Sequence, residues 1–114
     1  MKNKSHLLFV CSRNKWRSPT AVVVYSGDER VCVRSAGISV KSKHQISEKD
    51  LGWADLVLVM EQEHKVRILQ RFGKSSALPR IEVLHIEDEY QYMDEELVEM
   101  IRSGCEGFID EISG

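Results

Sequence analysis

Apolar positions along this chain follow two alternating patterns, short unbroken runs and longer stretches with helical spacing. The run Leu7-Leu8-Phe9-Val10 is continuous and bounded by polar residues, which predicts a buried strand. Three more follow: 31–35, ending at Ala36-Gly37; 56–60, the most clearly apolar; and 81–84. Helical patterns fill the gaps. Ser18-Pro19 reads as an N-cap with proline in the first turn, opening a helix to about Tyr25, although Val22-Val23-Val24 prefers a strand. Gly27 is its expected stop. Ser47 caps a short helix to Trp53, with Glu48 and Asp50 suiting its positive end. A third helix spans 61–72, with apolar Val66, Ile68 and Leu69, and stops at Gly73. The fourth spans 93–112 on Leu97, Met100, Ile101, Cys105 and Ile109, interrupted at Gly104 and Gly107.

Continuous strands alternating with helices predict a parallel sheet covered on both faces. The expected fold is a flavodoxin-like α/β single domain over 1–114, three layers around a four-stranded parallel sheet. In such sheets, ligands sit outside the carboxyl ends of the strands.

A chain of 114 residues holds one core, and 42 % hydrophobic with 30 % charged residues excludes a disordered or low-complexity chain. No apolar run approaches the ~18 residues of a membrane span. Met1-Lys2-Asn3-Lys4 opens like a signal peptide, but the apolar stretch 7–11 is short and runs into charged residues. A cytoplasmic protein with no membrane partner is expected. Charge is uneven: residues 1–81 carry 15 Lys/Arg against 7 Asp/Glu, and residues 82–114 carry 1 against 11. That asymmetry suits either an anionic ligand at the front or two halves attracting one another. A nucleic-acid partner is not expected, because no long basic run with interleaved aromatics exists.

Cys11, Cys32 and Cys105 are far apart and form no CxxC pair, which argues against disulfides and a zinc site and for a reducing compartment. Cys32, alternating in Val31-Cys32-Val33, and Cys105 read as small buried hydrophobes. His6, His44, His64 and His85 share no metal spacing and read as ordinary packing or surface residues, and Trp53 as packing the second helix on the sheet.

Cys11 differs from the other two. The first strand delivers Cys11-Ser12-Arg13-Asn14-Lys15-Trp16-Arg17-Ser18-Pro19 to the ligand edge. A loop of this length can fold so that consecutive N–H groups converge into a nest for an oxyanion, and the following helix adds its positive end. Ser12, Arg13, Asn14, Lys15, Trp16 and Ser18 form this expected phosphate-binding ring. Arg17 closes it with a planar fork that grips two phosphate oxygens, and the same field favours the Cys11 thiolate.

These residues resemble the low-molecular-weight protein tyrosine phosphatases, in the stretches 7–21, 34–38, 53–60 and 86–92, in that family's order. The likeness is to its short bacterial branch. It implies Cys11 as nucleophile, Arg17 as phosphate clamp, Ser18 hydrogen-bonding the thiolate and Asn14 holding the loop. Two positions depart from the family: Arg13 replaces a common glycine, and Trp16 replaces a common second cysteine. The aromatic wall that selects phosphotyrosine in longer members falls in the trimmed region.

Expelling an alkoxide or phenoxide needs a general acid. Glu87, Asp88 and Glu89 follow the fourth strand, at the edge that holds Cys11. The family's aspartate precedes an aromatic pair, and Asp88-Glu89-Tyr90-Gln91-Tyr92 matches it, so Asp88 is the expected acid. Asp94, Glu95 and Glu96 read as helix-start carboxylates; Tyr90 and Tyr92 line the cleft or simply pack.

The expected function is phosphomonoester hydrolysis through a phosphocysteine, without metal or other cofactor, on a phosphorylated protein or small phosphate ester, phosphotyrosine among them. Arsenate reduction on the same fold is an alternative that needs Cys32 or Cys105 as resolving thiol. A non-catalytic phosphate- or phosphoprotein-binding module is another.

Overall fold

The computed structural model describes residues 4–74 and 78–113; the signal-like start at 1–3 lies outside them. Eight elements alternate: β1 (Ser5–Cys11), α1 (Arg17–Tyr25), β2 (Val31–Gly37), α2 (Glu48–Trp53), β3 (Leu56–Val59), α3 (Gln62–Phe72), β4 (Arg80–Val83) and α4 (Glu95–Ser113). All strand pairs are parallel, in the order β2-β1-β3-β4. The expected four-stranded flavodoxin-like domain is therefore the one observed.

Each strand is apolar throughout because both sheet faces are covered. Leu7, Phe9 and Cys11 of β1 point with Leu56 and Leu58 toward Ala21 and Tyr25 of α1 and Leu97, Ile101, Cys105 and Ile109 of α4. Leu8 and Val10 point with Val57 and Val59 the opposite way, toward Leu51 of α2 and Ile68 of α3. This period of two places Cys11 on the α1/α4 side of the sheet. The chain leaves β1 for β2 on one side and crosses back to β3 on the other. The carboxyl end of β1 is thus the switch point where ligand crevices form in such sheets.

Four expectations need correction. Helix α1 begins at Arg17, and Ser18 is not its cap: Trp16 holds that position without a side-chain bond, and Ser18 is spent elsewhere. Helix α4 runs unbroken through Gly104 and Gly107, because its apolar stripe packs against the sheet on both sides of them. Cys32 is only half-buried, since β2 is an edge strand. His64 is no ordinary packing or surface residue; it is 3 % exposed and bonded into the loop that carries Cys11.

Other local readings hold. Ser47 caps α2 in a reciprocal box with Asp50. Trp53 packs toward the sheet under α2, stacked on His6 and covered by Arg34. Asp94 caps α4, its carboxylate accepting the Glu96 N–H at 2.9 Å.

Candidate active site

The loop after β1 is tied from both sides. Cys11 and Ser12 carbonyls accept from the N–H groups of Ile38 and Ser39 at 3.0 and 2.8 Å, and the Ser42 hydroxyl also donates to Ser12 O. Gly37 makes this approach possible: a Cβ there would lie 2.9 Å from the Arg13 backbone and collide with Ser42 Oγ. Asn14 takes the left-handed conformation, φ 54°, which Asn tolerates better than most residues. Arg13 is not left-handed, so a side chain is accommodated there, exposed on the lip of the loop.

Asn14 and Ser18 are buried beneath the loop rather than in its mouth. Ser18 Oγ lies 2.9 Å from Cys11 Sγ and 3.0 Å from Asn14 Oδ1. The single hydroxyl proton serves one of them at a time. When Cys11 is a thiol, S–H donates to Ser18 and Ser18 donates to Asn14; when it is a thiolate, the Ser18 proton turns to sulfur. The Ser18 and Asn14 side chains thus face the nucleophile and the loop.

Arg17 is 2 % exposed, and its bonds sort its five N–H groups by edge. Nη1 donates to Glu61 Oε2 at 2.6 Å and to Ile86 O at 2.8 Å, and one Nη2 proton goes to Ser12 Oγ at 3.3 Å. Among the described residues the Nε–H and the other Nη2–H make no hydrogen bond, and Nε and Nη2 share the edge that can take two oxygens of one anion. Among the described residues, the backbone N–H groups of 12–16 make no bond to another backbone carbonyl. A nest of free amides and a half-free guanidinium therefore converge on one cleft of about 340 Å³, lined by Cys11, Ser12, Arg13, Lys15, Trp16, Arg17 and Asp88.

Asp88 closes this cleft from across. Its carboxylate is 3.7 Å from Arg17 Nε and 56 % exposed, so the pair is a loose one. The structure thus brings Cys11, Arg17 and Asp88 together, with Ser12, Arg13, Lys15 and Trp16 around them. Glu87 and Glu89 stay exposed outside the cleft, and Glu87 holds the Glu89 carboxyl above its ordinary pKa by hydrogen bonding. Tyr90 packs against the core beside α4. Tyr92 lies in a neighbouring groove with Lys15, Trp16 and Lys43, not in the cleft itself.

Glu61 and His64 escaped the sequence reading. Both sit at the start of α3, whose approach to the loop is a tertiary fact without a local motif. The one sequence signal was their place at the carboxyl end of the third strand, the same edge as Cys11. The other cysteines lie elsewhere. Cys32 pairs with His6, five residues back along β1 from Cys11, roughly 16 Å at the rise of a strand. Burial pushes the Cys105 thiol up to about 12.

No protein-family model and no curated protein matches the chain in sequence. Solved structures do match, over nearly its full length. The arginine phosphatase YwlE from Geobacillus stearothermophilus shares 25% identity at TM-score 0.64, covering 96% of this chain and 90% of that one. The low molecular weight protein tyrosine phosphatase SP-PTP from Streptococcus pyogenes shares 18% at TM-score 0.72, covering 95% and 93%. The tyrosine phosphatase Wzb from Escherichia coli K30, solved with phosphate, shares 16% at TM-score 0.74, covering 96% and 99%.

Proposed function

We propose that this chain, which has the fold of the low-molecular-weight phosphatases, is a cysteine-dependent phosphatase acting on a phosphorylated protein or a small phosphate ester. One observation carries the reading: a buried thiol with a hydroxyl at 2.9 Å, unspent loop amides, the open Nε/Nη2 edge of Arg17 and the Asp88 carboxyl all meet at one cleft.

The chemistry follows from that arrangement. The Cys11 thiolate attacks phosphorus in line; the Sγ–P bond forms as the bond to the leaving oxygen breaks, and Asp88 gives that oxygen its proton. Water then attacks the phosphocysteine, its proton passing to Asp88, and the P–S bond breaks to return the thiolate and free phosphate. Arg17 and the loop amides hold the equatorial oxygens through both steps, where charge is spread in the transition state. Ser18 releases its bond to Asn14 and stabilises the thiolate each time it reappears. Because the loop supplies the positive charge, turnover requires no metal ion.

Phosphotyrosine or a related ester is the proposed substrate, and a reducing, cytoplasmic setting suits a free thiol nucleophile. Among the described residues no helix is long and apolar enough to cross a membrane. The positions of Cys32 and Cys105 speak against arsenate reduction, since one is remote and the other is a poor thiolate former. The test is hydrolysis of an aryl phosphate by pure protein in chelator, followed by a panel of phosphotyrosine, phosphoserine and phosphoarginine peptides. Trapping of phosphate on Cys11 supports the reading. Anion binding with no turnover of any ester would leave a binding module in its place.

A further inference from the structure

The buried side chain of His64 has no role in the mechanism above. Its Nδ1 accepts the backbone N–H of Glu61 at 3.1 Å, so in the neutral ring the proton sits on Nε2. Burial, with the nearby Arg17 charge, lowers its pKa to about 4, so the ring is neutral at pH 7. The Nε2–H then donates to Ser12 Oγ at 3.0 Å, and Arg17 Nη2 donates to the same oxygen at 3.3 Å. A hydroxyl oxygen has two lone pairs, and here both are taken. The Ser12 proton must therefore be donated outward, and no acceptor among the described residues takes it. Ser12 lines the anion cleft between Cys11 and Arg17.

We propose that His64 is a positioning residue that fixes the Ser12 hydroxyl as a one-way donor to an oxyanion bound on the loop. Without the imidazole, the hydroxyl could rotate and accept as readily as donate. With it, the loop offers a side-chain donor in addition to its amides, already oriented before the anion arrives. The proposal rests on the phosphatase reading only for the identity of that anion. The competing account is that His64 merely caps α3 through Nδ1, with its other nitrogen irrelevant to ligand.

A double-mutant cycle separates the two. Full-length wild type, Ser12→Ala, His64→Phe and the double variant are alkylated at Cys11 with iodoacetate under graded orthophosphate, and aryl phosphate hydrolysis is measured in parallel. Loss of a hydrogen bond to a charged group predicts that Ser12→Ala needs roughly tenfold to a hundredfold more phosphate for protection. His64→Phe should lose about as much, and the double variant should be no worse than Ser12→Ala alone. Unchanged protection in Ser12→Ala overturns the proposal, as do losses that multiply in the double variant. If His64→Phe does not fold, the smaller His64→Leu, which likewise has no donor for Ser12, takes its place in the cycle. Protection that depends on Ser12 and His64 without any turnover would sink the phosphatase reading and leave this inference standing. Turnover with protection indifferent to both residues would do the reverse, and a wild type that phosphate does not protect overturns the inference whatever its turnover.

Discussion

The loop at 11–17 and the segment at 86–93 face each other across one cleft and are built in opposite ways. In the loop, Cys11, Asn14 and Arg17 are buried, and Glu61, His64, Ser18, Ile38 and Ser39 tie it from beneath and beside. The acid-bearing segment is hydrogen-bonded to the rest of the fold near its ends, and between them only Tyr90 packs on the core. Ile86 donates to Met60 O and accepts from Arg17, and the Met93 N–H donates to the Thr20 hydroxyl at 2.9 Å. Between these anchors Glu87, Asp88, Glu89, Gln91 and Tyr92 are exposed. His85 and Met93, at either end, both take left-handed backbone, φ 58° and 63°. For Met93 that conformation costs on the order of 1 kcal/mol, accepted where the chain must turn sharply.

The contrast follows from what each side does. Transition-state charge is best stabilised by dipoles that need no reorganisation, so the oxyanion side is rigid. An acid must protonate an atom that belongs to the substrate, so it sits on a segment that can adjust to a leaving group. The largest expected effect tests this division. Asp88→Asn should lose roughly 10²–10⁴-fold in rate on an alkyl phosphate, the usual worth of a general acid, and far less on a nitrophenyl ester that departs unaided. Phosphate protection of Cys11 should barely change. Equal losses on both esters would mean that Asp88 shapes the cleft rather than donates a proton.

Glu61 tests the rigid side. Its carboxylate holds Arg17 Nη1 at 2.6 Å, leaving the opposite edge for the anion. In Glu61→Ala the guanidinium keeps its charge but loses its angle, so kcat should fall roughly tenfold from misplacement while phosphate protection persists. Protection that falls with kcat unchanged would show that Glu61 serves binding, not orientation.

How far the sequence reached follows the same line between local and tertiary facts. The strands were legible because both faces of the sheet are covered, leaving unbroken apolar runs such as Leu56-Val57-Leu58-Val59. The loop was legible because Cys11 to Arg17 is one contiguous segment at a known edge. Ser18 was misread as a cap because the residues that claim its hydroxyl, Cys11 and Asn14, are brought under it only by the fold of the loop. Cys32 sits in a Val-Cys-Val alternation that looks interior, but strand order made β2 an edge. Glu61 and His64 carry no motif beyond their place after the third strand, since their partners are 44 and 52 residues away. A lone histidine on a helix is indistinguishable from packing until its neighbour across the chain is known.

That same histidine makes the rigid side pH-sensitive. Unfolded His64 titrates near 6.5 and folded His64 at about 4, so between those values the unfolded chain binds a proton that the folded one does not. Stability therefore rises with pH across this window and is lost as pH falls through it. The loss is on the order of 2 kcal/mol for a burial-driven shift of this size. Denaturant midpoints of wild type should fall between pH 6.5 and 4 more steeply than those of His64→Gln. Parallel curves would assign the acid sensitivity to the carboxylates instead.

The smallest expected effect guards the assignment of Asp88 within its own segment. Glu87 and Glu89 flank it, both exposed, with the Glu89 carboxyl held above its ordinary pKa by its hydrogen bond with Glu87. A raised carboxyl pKa is what a general acid needs, so on protonation alone Glu89 is the better candidate. Geometry decides against it: Asp88 lines the cleft and reaches to 3.7 Å from Arg17 Nε, while neither glutamate lines it. Exposed substitutions away from a site cost within about 0.5 kcal/mol, so Glu87→Gln and Glu89→Gln should each stay within about twofold of wild type on alkyl and aryl phosphates alike. The segment's freedom makes this a demanding control, because a loop able to move Asp88 toward a leaving group could move Glu89 there too. If Glu89→Gln reproduces the leaving-group dependence expected of Asp88→Asn, the acid is one residue along, and the exposed segment closes over substrate further than its resting anchors at Ile86 and Met93 imply.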